Sequence, residues 1–295
     1  MATTEEQNMT GKTTISHGVI SVIGRRRSME DAVTVAPSLV QITKNHHPTD
    51  QEKDLPDELM SYDLFAVYDG HGSNRIVQRC KERLHHVVAE QLLDAGRVDQ
   101  WESVMTTSFA KMDDEIAKED GLRSHSPTEE AEGTTALVVL VGKEEIVVAN
   151  CGDSRVVLFS DGAALPLSRD RKPEGRDERE RAGSSTGGDE HPNQYVISTP
   201  DVTVHKRAIS ENFLVIASDG LWDVVSNETA CDLVRKCCSG ELVSRIPMEG
   251  TIGKCAAASA AMLVELALAR GSKDNISVIV VELEQLHAHG ATSST

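Results

Sequence analysis

Apolar positions in this chain follow two patterns: short continuous runs rich in Val and Ile, and longer stretches with apolar residues every three or four positions. The first run, GVISVIG (Gly18–Gly24), predicts a strand, followed by a basic RRR and then SMEDAVTV. LFAVY (Leu64–Tyr68) predicts another, and the polar, two-proline QITKNHHPTDQEKDLPDELMSYD (Gln41–Asp63) before it predicts a surface loop. From Ser73, Ile76, Val77, Cys80, Leu84, Val87, Val88 and Leu92 share one helical face, and Gly96 stops that helix. Trp101, Met105, Phe109, Met112 and Ile116 repeat the spacing in a second helix. Strands follow in TTALVVLV, EEIVVANCGDS and RVVLFSDG, where Ser160–Gly162 has the chemistry of a hairpin turn. SRDRKPEGRDERERAGSSTGGDEHPN (Ser168–Asn193) has no usable period and predicts a loop. YVIS, VTVHKRA and NFLVIASDG are strands, SNETACDLVRKCC and AAASAAMLVELALAR are helices, and NISVIVVEL is a last, well-buried strand. Runs of strands with helices grouped between them predict an α+β layered fold in preference to a doubly wound parallel sheet.

Composition narrows the functions open to it. The chain has 295 residues, 39% of them hydrophobic but only 3% aromatic, so Val, Ile, Leu and Ala must build the core. A net charge of −17 argues against nucleic acid or an anionic membrane as partner. CAAASAAMLVELALA is too short to span a bilayer and contains Glu265. The N-terminal MATTEEQNMTGKTT lacks the basic and apolar regions of a signal peptide. The six cysteines show no CxxC spacing, which predicts buried thiols, not a disulfide frame, and a cytoplasmic or nuclear home. His46–His47 and His85–His86 lack partners at zinc-ligand spacing and read as surface pairs. Trp222 reads as core packing, and RKPEGRDERERA as a charged face.

The candidate chemistry lies in the acids at strand ends. Asp69 in YDGHG and Asp219 in ASDGLWD each end a long apolar strand, and Asp274 in SKDN immediately precedes one. Taken singly, Asp-Gly after a strand is ordinary turn chemistry. If the strand ends converge, the carboxylates repel unless a cation holds them, and all-oxygen ligands select hard ions such as Mg²⁺ or Mn²⁺. The carbonyl of Gly70 is a further candidate ligand.

GRRRSMEDA, FAVYDGHG, EGTTA, VANCGDSR, IASDGLWD and GSKDNISVIVV together resemble the successive motifs of the metal-dependent protein phosphatase (protein phosphatase 2C) family, in order and at compatible spacings from about Gly18 to Leu283. SRDRKP and GLWDV look most like its plant branch regulated by abscisic acid receptors. The resemblance implies a four-layer α-β-β-α sandwich over residues 16–285, between a flexible arm (1–15) and a disordered tail (286–295). It implies hydrolysis of phosphoserine and phosphothreonine in proteins by a hydroxide bridged between two Mg²⁺ or Mn²⁺ ions, with a third ion as an addition. Asp69 would bridge the two ions and Gly70 bind one; Asp219 and Asp274 would hold the other. Glu30 and Asp31 would act directly or through water, and Asp153 matches an acid of the third site. Arg26 matches the phosphate-binding arginine, and His71 is placed to protonate the leaving oxygen. The expected partners are phosphoproteins and protein kinases, and the expected state is a monomer.

The chain also departs from that pattern. Roughly 35 residues of a flap hairpin are missing around 181–193, where GSSTGGDEHPN runs directly into QYVISTPDVTV. Neither Trp101 nor Trp222 stands where the plant branch carries its receptor-docking tryptophan, which argues against hormone-receptor binding. The loop reads DGHGS where that branch has a second glycine. Losing strand segments would also expose a sheet edge. Three readings therefore stand: an active protein phosphatase, a weak or inactive relative that binds phosphoproteins or kinases, and a phosphohydrolase of small phosphate esters.

Overall fold

The computed structural model describes residues 15–43, 59–72, 74–95, 100–120, 133–171, 199–242 and 254–283. The expected arm and tail, His46–His47, the stretch 181–193 where a shortened flap is expected, and the expected YVIS strand fall outside the described residues, apart from Ile15 at the end of the arm.

Among the described residues, eleven strands and five helices run in the order β1 (His17–Val22), β2 (Asp31–Thr43), β3 (Leu59–His71), α1 (Arg75–Ala95), α2 (Trp101–Asp120), β4 (Gly133–Thr134), β5 (Ala136–Val141), β6 (Glu145–Cys151), β7 (Arg155–Ser160) and β8 (Ala163–Pro166), then β9 (Asp201–Lys206), β10 (Glu211–Ala217), α3 (Asp219–Trp222), α4 (Asn227–Cys238), α5 (Lys254–Ala269) and β11 (Ile276–Glu282). They form two antiparallel sheets, ordered β1-β11-β10-β7-β8 and β2-β3-β5-β6-β9, with β4 extending the pairing of β3. The predicted α+β sandwich is the observed fold. None of the described helices is long and apolar enough to cross a membrane.

The alternation of side chains along each strand explains the four layers. Leu64, Ala66 and Tyr68 of β3 pack under α1 and α2, whereas Phe65 and Val67 point between the sheets. In the other sheet, Val278 and Val280 of β11 meet α4 and α5, and Ile279 and Val281 face Phe65 and Val67 across the middle. Both faces of the interior strands β5, β6, β7, β10 and β11 are buried, so these strands read as nearly unbroken apolar runs. The faces predicted for α1 and α2 are the buried ones.

Two expectations need correction. Part of the supposed loop 41–63 is strand: Gln41↔Ser61 and Ile42↔Met60 continue the β2–β3 ladder, and Met60 and Tyr62 are buried. The polar residues there alternate with Ile42, Met60 and Tyr62, while Pro37 and Ser38 sit in a bulge between Ala36 and Val40 that breaks the pattern. Ser38 takes φ 49° and donates its backbone N–H to Asp63. Second, not every cysteine is a thiol. Cys238 and Cys255 form a disulfide from the end of α4 to the start of α5, while Cys80, Cys151 and Cys231 are buried free thiols and Cys237 is free and half-buried. A separation of 17 residues carries no signature in sequence; the approach of the two helices decides the pairing. The Asp161–Gly162 turn is as expected, with φ 51° and 79° between paired Ser160 and Ala163.

At the end of the sandwich where β6 begins, Glu145 is buried yet well partnered. Its Oε1 accepts from Tyr62 Oη at 3.0 Å and Trp101 Nε1 at 2.9 Å, and Oε2 pairs with Lys206, which is exposed. Glu145→Ala strands two buried donors and should cost about 2 kcal/mol. Glu145→Gln keeps Oε1 and loses only the exposed ion pair, so it should cost under about 1 kcal/mol. Urea midpoints of the two variants check this; equal losses would contradict it.

Candidate active site

The opposite end of the sandwich gathers the acids. Asp31 and Asp69 are direct partners on the β2–β3 ladder. Asp69 continues the alternation of Phe65 and Val67, so it falls on the face between the sheets, at its rim. From the other sheet, β10 ends at Ala217 and is followed by Ser218 and then Asp219, which opens α3, while Asp274 lies two residues before β11. Ser218 Oγ donates to Asp31 Oδ2 at 2.8 Å and so joins the two sheets at the site. In turn, Ser218 Oγ accepts from Ser277 N at 3.1 Å.

Asp153 arrives on the turn after β6, which Asn150 holds from inside. Asn150 Nδ2 donates to the carbonyls of Gly152, Ser154 and Arg169 at 3.3, 3.1 and 3.1 Å. Thr135 ties in the β3 end: its N–H donates to the Asp69 carbonyl at 2.8 Å, and its hydroxyl accepts from Asp69 N at 3.3 Å. Below α3, the Trp222 indole donates to the carbonyls of Arg155 and Ala217, confirming its place in the core.

Asp69, Asp153 and Asp219 each place a carboxylate oxygen within 4.8 Å of the others. Asp219 Oδ1 is buried and has no hydrogen-bond partner among the described residues. Burial, followed by the charges of Asp31 and Asp219, pushes the Asp69 carboxyl far above the ordinary carboxylate range. Burial and the Asp153 charge raise Asp219. Burial also raises Asp31, although the Ser218 and Ser277 hydroxyls oppose the shift. An all-oxygen set that repels itself and includes an orphaned buried oxygen fits a hard divalent cation. The residues present therefore suit Mg²⁺ or Mn²⁺.

Arg26 leans over this cluster from the exposed loop after β1. Its Nη2 donates to Asp274 Oδ2 at 2.5 Å, and Asp274, Glu30 and Asp69 all hold the guanidinium protonated. Ser28 Oγ donates to Glu30 Oε1 at 2.8 Å, and the Glu30 carbonyl accepts from Gly70 N at 3.1 Å. Gly70 is thus locked between Glu30 and its β4 partner Thr134. His71 is exposed at the last rung of β3, opposite Gly133.

The structure thus brings Asp31, Asp69, Asp153, Asp219 and Asp274 into one electrostatic neighbourhood, with Glu30, Gly70 and Arg26 at its rim. The sequence reading missed the supporting residues Ser218, Ser277, Thr135, Asn150 and Asn275. Their signal was position alone, since each lies close in the chain to a strand end or motif that carries a candidate acid.

Comparison with known proteins agrees with this geometry. The family model described as protein phosphatase 2C matches residues 15–191 and 184–276. The chain is 42% identical over 318 residues to probable protein phosphatase 2C 8 of Oryza sativa subsp. japonica, covering 95% of this chain and 77% of that protein. It is 38% identical over 313 residues to protein phosphatase 2C 37 of Arabidopsis thaliana, covering 94% and 74%. Among solved structures, serine-threonine phosphatase 2C from Toxoplasma gondii has the same fold, with a TM-score of 0.67 at 18% identity over 93% of this chain and 96% of that one. The catalytic domain of the phosphatase PstP in complex with two manganese ions gives 0.56 at 22% identity, over 91% and 98%. With the acid cluster, the fold and these relatives in agreement, the chain belongs to the protein phosphatase 2C family.

Proposed function

We propose that this site hydrolyses phosphoserine and phosphothreonine in proteins at a centre of two Mg²⁺ or Mn²⁺ ions, with a third ion at Asp153. Metal-dependent protein dephosphorylation is the activity of the family, and the acids gathered at this site are our match to its ligand set. The observation that carries the assignment is the trio Asp69, Asp153 and Asp219, with oxygens within 4.8 Å of one another, next to an arginine held over the same acids.

In this reading Asp69 and the Gly70 carbonyl would hold the ions from one sheet and Asp219 and Asp274 from the other, with Glu30 and Asp31 contributing directly or through water. When bound, the cations supply an acidified water and offset the charge on the phosphoryl group. Arg26 presents its guanidinium fork to the phosphoryl oxygens, a geometry a lysine would not reproduce. The His71 imidazole, exposed at the rim, serves as general acid toward the leaving serine or threonine oxygen. The chain supplies no covalent nucleophile in this scheme, and its buried free cysteines take no part in it.

The plant abscisic-acid-regulated branch is our placement within the family, with a shortened flap near 181–193. Plant relatives at 42% and 38% identity support a plant placement, and the SRDRKP and GLWDV phrases are what point to the branch. The family match breaks into two pieces that meet at 184–191, which supports a shortening there. A shorter flap without its tryptophan removes the means of receptor inhibition, so this phosphatase would act without that control.

The test is hydrolysis of a phosphothreonine peptide and of small phosphate esters, with Mn²⁺ and with EDTA. We expect Mn²⁺-dependent release of phosphate from the peptide in preference to the esters, and a rise in thermal midpoint with Mn²⁺, since binding to the folded state at 100 times Kd adds about 2.7 kcal/mol. Folded, Mn²⁺-stabilised protein without turnover would overturn the reading in favour of a phosphoprotein-binding role. Preference for the esters would move the substrate class.

A further inference from the structure

Arg26 belongs to a loop with little of its own to hold it. Residues 25–28 are exposed, and Ile23, at the loop entrance, is 43% exposed. A phosphate-binding arginine on such a loop loses much of its effect to conformational freedom unless something fixes the backbone beneath it.

We propose that Asn275 is the positioning residue for phosphate recognition: its buried carboxamide mounts the 23–30 loop, and with it Arg26, on the strand that follows Asp274. The inference rests on the reading of Arg26 as the phosphate-binding group. Asn275 is only 3% exposed, and all three of its side-chain hydrogen bonds go to the backbone of this loop. Oδ1 accepts from Glu30 N at 2.7 Å, while Nδ2 donates to Ile23 O at 2.8 Å and Ser28 O at 3.0 Å. The carboxamide therefore bridges both ends of the loop and leaves Arg26 at the crest between them.

The pattern of one acceptor and two donors in a plane belongs to an amide side chain. A carboxylate at 275 would keep the bond from Glu30 N but set its second oxygen against two carbonyl oxygens. The backbone of Asn275 serves the acid cluster instead, since its N–H donates to Asp274 Oδ1 at 2.8 Å. Side-chain substitutions leave that bond in place, so loop positioning and acid positioning are separable at this one residue.

The experiment uses the full chain with Asn275→Ala and Asn275→Asp, alone and combined with Arg26→Ala. KM for a phosphothreonine peptide and inhibition by inorganic phosphate are measured alongside the Mn²⁺-induced rise in thermal midpoint. Both Asn275 variants should weaken phosphate affinity and raise KM by about 10- to 100-fold, the range for residues that orient a functional group. The Mn²⁺-induced rise should persist, because Asp69, Asp153 and Asp219 keep their own supports. Arg26→Ala should add little in the Asn275→Ala background, because the two residues act as one unit. Fully additive losses, unchanged phosphate affinity, or loss of the Mn²⁺ response together with phosphate affinity would each overturn the proposal. If a variant does not fold, hydrogen exchange in the native protein decides: the Glu30 amide should be protected and the neighbouring Arg25 and Arg27 amides open. Equal exchange at all three would also overturn it. A wild-type protein with no turnover would instead count against the phosphatase reading, a separate failure.

Discussion

Asp69→Asn should reduce metal-dependent turnover by more than the ~10–100-fold that a supporting residue costs, because it removes the carboxylate common to the cluster. It should also abolish most of the stabilisation by Mn²⁺. In the EDTA-treated protein the same substitution should have the opposite sign. Burial and neighbouring acids raise the Asp69, Asp219 and Asp31 carboxyls above their unfolded values. The metal-free folded state therefore binds more protons than the unfolded chain once the pH exceeds about 4, and its stability falls as the pH rises from there through the raised folded values. Asn at position 69 removes the group with the largest of these shifts, and with it that group's share of the pH-dependent loss. Urea midpoints at pH 5 and pH 8 with EDTA should show a shallower decline in the variant than in the wild type. An Asp69→Asn protein less stable than wild type at pH 8 without metal would contradict this account of the cluster.

Gly220→Ala should be among the most damaging small substitutions near the site. A Cβ at this position would lie 1.9 Å from the carbonyl oxygen of Asn275 and 3.0 Å from its carbonyl carbon. Both atoms belong to the backbone leading into β11, a strand paired on both sides, so they cannot yield as a side-chain tip would. Overpacking costs about 1–3 kcal/mol, and the rigid neighbour places this case near about 3 kcal/mol. The strain falls between Asp219 and Asp274, so the Mn²⁺ response should weaken along with stability. Urea unfolding and a Mn²⁺ titration of the variant check both parts, and an unchanged midpoint would refute the steric argument.

The sequence exposed the acids more readily than their supports, for a physical reason. Asp69, Asp219 and Asp274 stand at the ends of apolar runs, where a charge breaks a buried pattern and becomes visible. Ser218, Ser277 and Asn275 are small polar residues whose importance lies in which atom they face across more than fifty residues of chain, as Ser218 does toward Asp31. The helices α1 and α2 were legible because their apolar faces have a strict period. The far part of β2 was not, because the bulge at Pro37 and Ser38 shifts its alternation and its outer positions are polar. The Cys238–Cys255 bond was invisible for a related reason, since it depends on how α4 and α5 meet and not on spacing.

In the sheet orders, β8 and β9 each occupy an outer position, one in each sheet, and they are consecutive among the described strands. The passage from Pro166 to Asp201 therefore leaves the margin of one sheet and enters at the margin of the other. In evolutionary terms, this is a place where a lineage can gain or lose tens of residues while every interior ladder is inherited intact. Length can change there without disturbing the ladders that carry Asp31 and Asp69 or the strands next to Asp219 and Asp274.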